Sequence, residues 1–544
     1  HRGPDDHGWL SYSNDEIRNG QQRPDDNPLQ VLLLHRRLSI LDLSESGRQP
    51  MSTTDGRFHI TFNGEIYNYR ELRTELESLG HCFQSSSDTE VLLSAWKQWG
   101  TECLRRLIGM FAFAVLDVER RVVTLARDFF GIKPLFYSRT PECFAFASEI
   151  KALLRVPGVS RKVNPKALHN FLWHGTDDHT PETMFADVQQ LAPAHYMEVP
   201  IDDPAPATPT QFWSPGTERK CDLSYEEATE RLRELFLESI ELHLRSDVPF
   251  GTALSGGIDS SAVVGSVRHL LGDGIGFHSF SFIAKGSPLD EERWVDIAAT
   301  AAATDVHKVE IAAAELAQDL DAIIVAQDEP FSTTSICAQF RVFRLAQEAG
   351  VKVLLDGQGA DELLGGYPAF LKARLSSILR QGRLLYARQF ARCSSELLGI
   401  EPARLLRSEY ARLLPNGIIQ SARGLLNRPG HVASSNWLNH EWFSNRGVSI
   451  ANNSLHEGHD SLSEALIHSV QKSPLPSLLR FEDRNSMHFS IESRVPFLNP
   501  RIAEFLFSVP EEYIIGRDAT TKRLFRSAMR GITPDAILNR RDKI

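Results

Sequence analysis

Residues 248–260 constrain this chain more than any other stretch. Val-Pro-Phe-Gly-Thr-Ala-Leu254 is largely apolar and short enough for a buried strand, and it runs straight into Ser255-Gly-Gly-Ile-Asp-Ser260. A helical pattern follows over 259–271. Strand, glycine turn and helix start, in that order, leave backbone N–H groups aimed at one point, where the helix dipole favours an anion. Ser255, Ser260 and Ser261 add hydroxyl donors. Asp259 carries the same sign as a phosphate and fits such a place only with a divalent cation, such as magnesium, between them. The chain has no Gly-x-x-x-x-Gly-Lys-[Ser/Thr] segment, so this is not a Walker loop. A plain strand-to-helix turn that happens to contain serine and glycine is the competing reading.

A second segment narrows the choice. Asp356-Gly-Gln-Gly-Ala-Asp-Glu362 also follows a short apolar strand, Lys352-Val-Leu-Leu355, and a further strand is expected over 277–283. Strands alternating with helices predict a parallel, doubly wound sheet, in which ligands collect at the carboxyl ends of the strands. Asp361 could then share a magnesium ion with Asp259. An acidic, glycine-rich surface loop is the alternative for this segment. The two segments together favour a nucleotide–magnesium site.

The first half has another texture. Phe58-His-Ile-Thr-Phe62, residues 110–116 and Val122-Val-Thr-Leu125 are short runs of β-formers, with amphipathic helices expected over 69–79 and 89–99. This pattern predicts a layered α+β domain. Four prolines within residues 200–209 favour extended structure, so the domains are expected to divide near 200–216, as 1–200 and 217–544. Ser224-Tyr-Glu-Glu227 fits a capping box opening a helix to about Leu244, and residues 368–480 read as mainly helical. A net charge of -11 argues against a nucleic-acid partner. No apolar run approaches the ~20 residues of a membrane span. The six cysteines are scattered with no metal-like spacing, which suits reduced thiols in a cytoplasmic enzyme.

With these residues in view, the sequence resembles the glutamine-dependent asparagine synthetases over most of its length. Ser255–Ser260 looks like that family's pyrophosphate loop, and Gly357-Gln-Gly-Ala-Asp-Glu362 with Gly365-Gly-Tyr367 like its second loop. Asp483-Arg-Asn-Ser-Met487 and Ile491-Glu-Ser-Arg-Val-Pro-Phe497 resemble its C-terminal signature. In the first half, Arg2-Gly-Pro-Asp5, His35-Arg-Arg-Leu-Ser-Ile-Leu-Asp42, Asn63-Gly-Glu-Ile-Tyr-Asn68 and Ser87-Asp88 resemble its glutaminase domain. The resemblance implies an N-terminal αββα sandwich of the N-terminal-nucleophile type and a C-terminal ATP-pyrophosphatase domain of doubly wound parallel sheet with added helices.

It also implies roles. Glutamine would be bound by Arg37, Ile40, Asn63, Gly64, Glu65 and Asp88, with Asn63 and the Gly64 N–H forming an oxyanion hole. Read alone, Asn63-Gly64 is a hairpin-turn signal. ATP would be bound by Ala253, Leu254, Ser255, Gly256, Gly257, Asp259, Ser260, Phe282, Asp356 and Gly357, and magnesium by Asp259 and Asp361. Lys543 resembles a lysine that steadies the adenylated intermediate. The family's nucleophile is a cysteine at the first position of the mature chain, a few tens of residues before Arg-Gly-Pro-Asp. Here only His1 precedes that motif, so truncation at both ends is expected. Gln358 stands where asparagine-making relatives usually carry Glu, which binds or deprotonates ammonia; a carboxamide cannot take a proton. The implied reaction adenylates the aspartate side chain and transfers ammonia from glutamine. Another carboxylate acceptor (a sugar acid or secondary metabolite) and a catalytically silent regulatory relative stay open, as does a homodimer.

Overall fold

The computed structural model describes residues 1–22, 29–204, 207–216, 221–413, 437–448, 459 and 461–540. Its first half is built on three antiparallel sheets, one of them a small sheet in the order Val188–Gln190, Phe136–Arg139, Phe144–Ala147. A six-stranded sheet runs in the order Thr210–Gln211, His195–Pro200, Val122–Arg127, Gly109–Asp117, Phe58–Ile66, Met51–Ser52. A three-stranded sheet of Asp6–Ser13, Glu16–Gly20 and Val31–Arg37 packs on one face. Alternation along the strands sends side chains to both faces. Ala112, Ala114, Leu116 and Leu125 meet Leu10, Tyr12 and Leu33 between the sheets. Ile60, Phe62, Phe111, Phe113 and Val115 turn the other way, toward Leu72, Leu76, Val91, Leu92 and Trp96 of two helices, Tyr69–Ser78 and Asp88–Trp99. The proline-rich crossing is not all linker: Thr210–Gln211 completes the sheet edge, and Phe212 is buried behind it.

The second half centres on five parallel strands in the order Asp305–Val309, His278–Phe282, Phe250–Ala253, Val353–Leu355, Glu492–Arg494. Ser224 and Glu227 form the expected capping box on helix Tyr225–His243. The helical region behind the sheet includes Pro368–Arg380, Leu384–Leu398 and Leu475–His488. The sequence reading omitted two edge strands. Asp305–Val309 is polar and half-exposed, and Glu492–Arg494 is only three residues long, so neither shows an apolar run. All six cysteines are free thiols. Among the described residues, no helix is long and apolar enough to cross a membrane.

The two halves meet along helix Leu475–His488. Arg2 forms a two-pronged pair with Asp483, at 2.7 and 2.9 Å, and Arg484 donates to the Ser148 carbonyl at 2.9 Å and lies 3.4 Å from Glu149. Arg480 pairs with Asp177 and Asp178 at 2.9 and 2.7 Å.

Asn63-Gly64 is not a hairpin turn. Both residues lie inside strand Phe58–Ile66, opposite Ala112 and Phe111. Gly64 has φ +146°, and a Cβ there would sit 2.0 Å from the Met110 carbonyl oxygen. Gly64→Ala therefore combines backbone strain with a main-chain clash and should destabilise by roughly 2–6 kcal/mol. Gly56 has φ +71° with open space around it, so Gly56→Ala should cost only about 1–2 kcal/mol. Urea unfolding of both variants measures this; equal losses would mean that the strand relaxes around the added methyl group.

Candidate active site

Two sites flank the inter-domain helix. The first is a cavity of about 530 Å³ in the N-terminal half, lined by Arg37, Ile40, Asn63, Gly64, Glu65 and Asp88 among others. Every residue assigned to glutamine in the sequence therefore faces one space. Strand Phe58–Ile66 delivers Asn63, Gly64 and Glu65, while Asp88 opens the helix capped by Ser87. The Asn63 amide lies 3.4 Å from the Ser148 hydroxyl. Arg37 lines the cavity, but its terminal nitrogens donate to the carbonyls of Ser44, Leu41 and Asp42 at 2.9, 3.1 and 2.5 Å, bracing the loop over 41–44. Gly47 makes that approach possible, because a Cβ there would meet the guanidinium at 2.0 Å.

The floor of this cavity is acidic. Burial, opposed by the backbone N–H of Ile66 but assisted by Glu492, pushes Asp88 up to about 6. Burial and then the charges of Asp88 and Glu492 hold Glu65 well above its usual value. Its Oε2 is buried with no hydrogen-bond partner, and the nearest cation, Arg494, stands 3.9 Å from Oε1. A buried carboxylate oxygen left in that state suits a ligand with a cationic donor. No cysteine lines the cavity.

The second site lies at the carboxyl ends of the parallel strands. Past Ala253, Leu254 is buried and donates to the Phe280 carbonyl at 2.9 Å. Ser255 then turns onto helix Ile258–Leu271, whose cap, Gly257, supplies no side-chain acceptor to the first N–H groups. Ser255 and Ser260 hydroxyls sit 3.0 Å apart. Gly256 has φ +79°, and a Cβ there would strike Trp294 at 2.8 Å. Arg540 holds the loop from behind, donating to the Gly256 carbonyl at 3.1 Å and pairing with Glu291 at 2.8 Å. Asp356 and Gly357 face this loop from the next strand: a Cβ on Gly357 would come within 3.1 Å of the Asp259 Cβ. Phe282 closes the far side, at the end of its strand.

Asp259 and Asp361 converge as the sequence predicted, and a lysine joins them. The Lys522 ammonium lies 2.5 Å from Asp259 and 2.6 Å from Asp361. Burial alone would depress Lys522, yet the two carboxylates hold it above its ordinary value. Gly366 makes room: a Cβ there would meet Asp361 Oδ1 at 1.8 Å and Lys522 Cε at 2.5 Å. Sequence reasoning missed Lys522. Its one local signal, a lysine after two threonines at a helix start, is common in solvated surfaces. Lys543 lies outside the described residues. Gln358 points its amide toward Glu482, at 3.5 Å.

Sites of this kind suit a divalent cation: two carboxylate oxygens, gathered around a compact positive charge, form an all-oxygen donor set. Among the described residues, one further cluster has metal-ligand spacing, His278, Asp305 and His307. It stands at the amino-terminal side of the sheet, away from the loops.

Comparison with known proteins agrees with this geometry. A glutamine amidotransferase domain matches residues 1–213, and the asparagine synthase family matches residues 231–544. The chain is 30% identical to asparagine synthetase [glutamine-hydrolyzing] 3 of Bacillus subtilis, over 98% of this chain and 85% of that protein. It is 31% identical to asparagine synthetase [glutamine-hydrolyzing] 1 of the same organism, over 99% and 81%. A third relative, amidase chry2 of Gibberella zeae, is 28% identical over 99% and 82%. The N-terminal half is thus a glutamine amidotransferase domain, and the chain belongs to the asparagine synthetase family of glutamine-hydrolysing, ATP-dependent ligases.

Proposed function

We propose that this chain makes asparagine, adenylating the side chain of aspartate with ATP and passing it ammonia released from glutamine. The observation that carries this reading is the meeting of Asp259, Asp361 and Lys522 in front of the Ser255–Ser260 loop. Glutamine would enter the acidic cavity, its carboxylate toward Arg37 and its ammonium toward Glu65 and Asp88, with Ile40 packing beside it. Asn63 and the Gly64 N–H would face the charge that develops on the amide oxygen.

In the second site, the N–H groups at the helix start, with Ser255, Gly256, Gly257 and Ser260, would cradle the β- and γ-phosphates. Ala253, Leu254 and Phe282 would border the adenosine, and Asp356 and Gly357 would close over it. Asp259 and Asp361 would hold magnesium, which neutralises phosphate charge when bound. Lys522, held between Asp259 and Asp361, would add a positive charge facing the phosphates. Adenylation releases pyrophosphate, and ammonia attack then gives the amide and AMP. The ingredients are small molecules, in keeping with a cytoplasmic biosynthetic role. Gln358 favours a second reading with the same machinery, in which another carboxylic acid is the acceptor.

Purified protein supplied with ATP, magnesium, ammonium and aspartate should yield asparagine and pyrophosphate. No asparagine, with pyrophosphate released for a different acid, would establish the second reading; no ATP turnover with any acid would sink both. Asp259→Asn should lower pyrophosphate release by at least ~100-fold with the circular dichroism unchanged. Cavity binding has its own signature. Asp88 is raised to about 6, so it is protonated below that value and ionised above it. An ammonium ligand prefers the ionised form, so glutamine should bind more tightly as pH rises through about 6. Calorimetry between pH 5 and 8 should show this rise and its loss in Asp88→Asn; a flat wild-type profile would remove Asp88 from the ammonium site.

A further inference from the structure

Attack of ammonia on an acyl-adenylate needs a proton acceptor, because the nitrogen that forms the new bond carries one proton too many. Gln358 cannot serve: a carboxamide accepts hydrogen bonds but is no base. The side chain beside it can. Glu482 lies on helix Leu475–His488, 2% exposed, with its Oε2 3.5 Å from Gln358 Nε2. Its other partners fix it in place: Gln339 donates to the same oxygen, Ser493 donates to Oε1, and Asp356 shares a hydrogen bond with it. The helix is also the wall of the glutamine cavity, since Met487 lines that space. Glu482 thus stands on the element shared by the two sites, touching both Asp356 and Gln358 of the second loop.

We propose that Glu482 is the proton acceptor of the amide-forming step, with Gln358 as the group that orients it and the incoming ammonia. This rests on the proposed reaction. The ammonia lone pair forms the C–N bond to the activated carboxyl carbon, and the bond from that carbon to the AMP oxygen breaks. AMP leaves with the bonding electrons, and one N–H proton passes to Glu482, whose own proton moves across their hydrogen bond to Asp356. The neighbourhood suits such a base. Burial and then the charge of Asp356 raise Glu482 well above its usual value, and burial raises Asp356 as well. The hydrogen bond between the two carboxyl groups raises Glu482 and lowers Asp356, so the pair keeps one proton on the Glu482 side and one negative charge, and Glu482 can take the ammonia proton as it passes its own to Asp356. In this arrangement the carboxyl group reaches the site from the inter-domain helix, and the loop contributes an amide.

The test separates adenylation from amide formation, with aspartate as acceptor and ammonium as donor. In Glu482→Gln, ammonium-dependent asparagine synthesis should fall about 100-fold while aspartate-dependent exchange of pyrophosphate into ATP stays within roughly threefold. The swapped double variant, Gln358→Glu with Glu482→Gln, returns a carboxylate to the same spot and should recover roughly tenfold of that loss. Wild-type synthesis in Glu482→Gln would overturn the proposal. Parallel loss of exchange and synthesis would also overturn it, assigning Glu482 to the framework of the nucleotide loop. Absence of asparagine from the wild type would instead overturn the aspartate reading, and this proposal with it.

Discussion

The fold depends on burying a run of charge inside one helix. Residues 480–484 read Arg-Phe-Glu-Asp-Arg, and all five are buried in helix Leu475–His488. A helix with such a stretch cannot be stabilised by apolar packing alone; each charge removed from water needs a partner. Each has one, and the partners lie in different directions. Arg480 reaches Asp177 and Asp178, Asp483 reaches Arg2, and Arg484 reaches Glu149 and Ser148, all in the amidotransferase half. Glu482 turns to the synthetase loops. Breaking one buried pair typically costs about 3–5 kcal/mol, since the surviving charge is stranded. The helix therefore fixes the relative placement of two domains more stringently than a greasy interface would.

That placement gives the two sites a common wall. The acidic cavity and the nucleotide loops both border the helix, Met487 lining the one and Glu482 touching the other. Glu492 extends the link. It lines the cavity, pairs with Arg494 at 2.7 Å, and belongs to the edge strand whose Arg494 carbonyl receives the Asp356 N–H at 2.8 Å. One short strand thus joins the floor of one site to the rim of the other.

Much of this was legible in the sequence, and the failures have physical causes. The loop at 255–260 and the glycine loop at 356–362 are local: strand, turn and helix start are all written within a dozen residues, so their place at the carboxyl ends of parallel strands followed. The cavity residues were named through a resemblance, and the structure brings all six together. Asn63-Gly64 shows the limit of local signals, because a turn-forming pair is held in mid-strand by its pairing with Ala112 and Phe111. The strand Glu492–Arg494 was hidden because three residues with two charges do not look like a buried strand; its burial is offset by the Glu492–Arg494 pair within the strand and by the bonds Arg494 donates to the distant carbonyls of His243 and Arg245. Lys522 and Glu482 were invisible for the same reason: a charged residue is unremarkable until the fold shows what faces it.

The meeting of Asp259, Asp361 and Lys522 makes this plainest. Two carboxylates brought together away from water repel, and neither loop by itself offers a cation. The ammonium between them is carried by a third segment, more than 150 residues further along the chain than either aspartate. Lys522 holds φ +53° at the start of its helix, a conformation that costs about 1 kcal/mol or more for a residue with a Cβ. The side chain then passes over Gly366, which any larger residue would block. Local strain, a bare glycine and a buried lysine are each unfavourable or neutral alone. They are consistent only as parts of a device that holds two acidic loops at a fixed distance in front of a phosphate cradle. For that reason the site needs the whole C-terminal domain, and not only the loop that first revealed it.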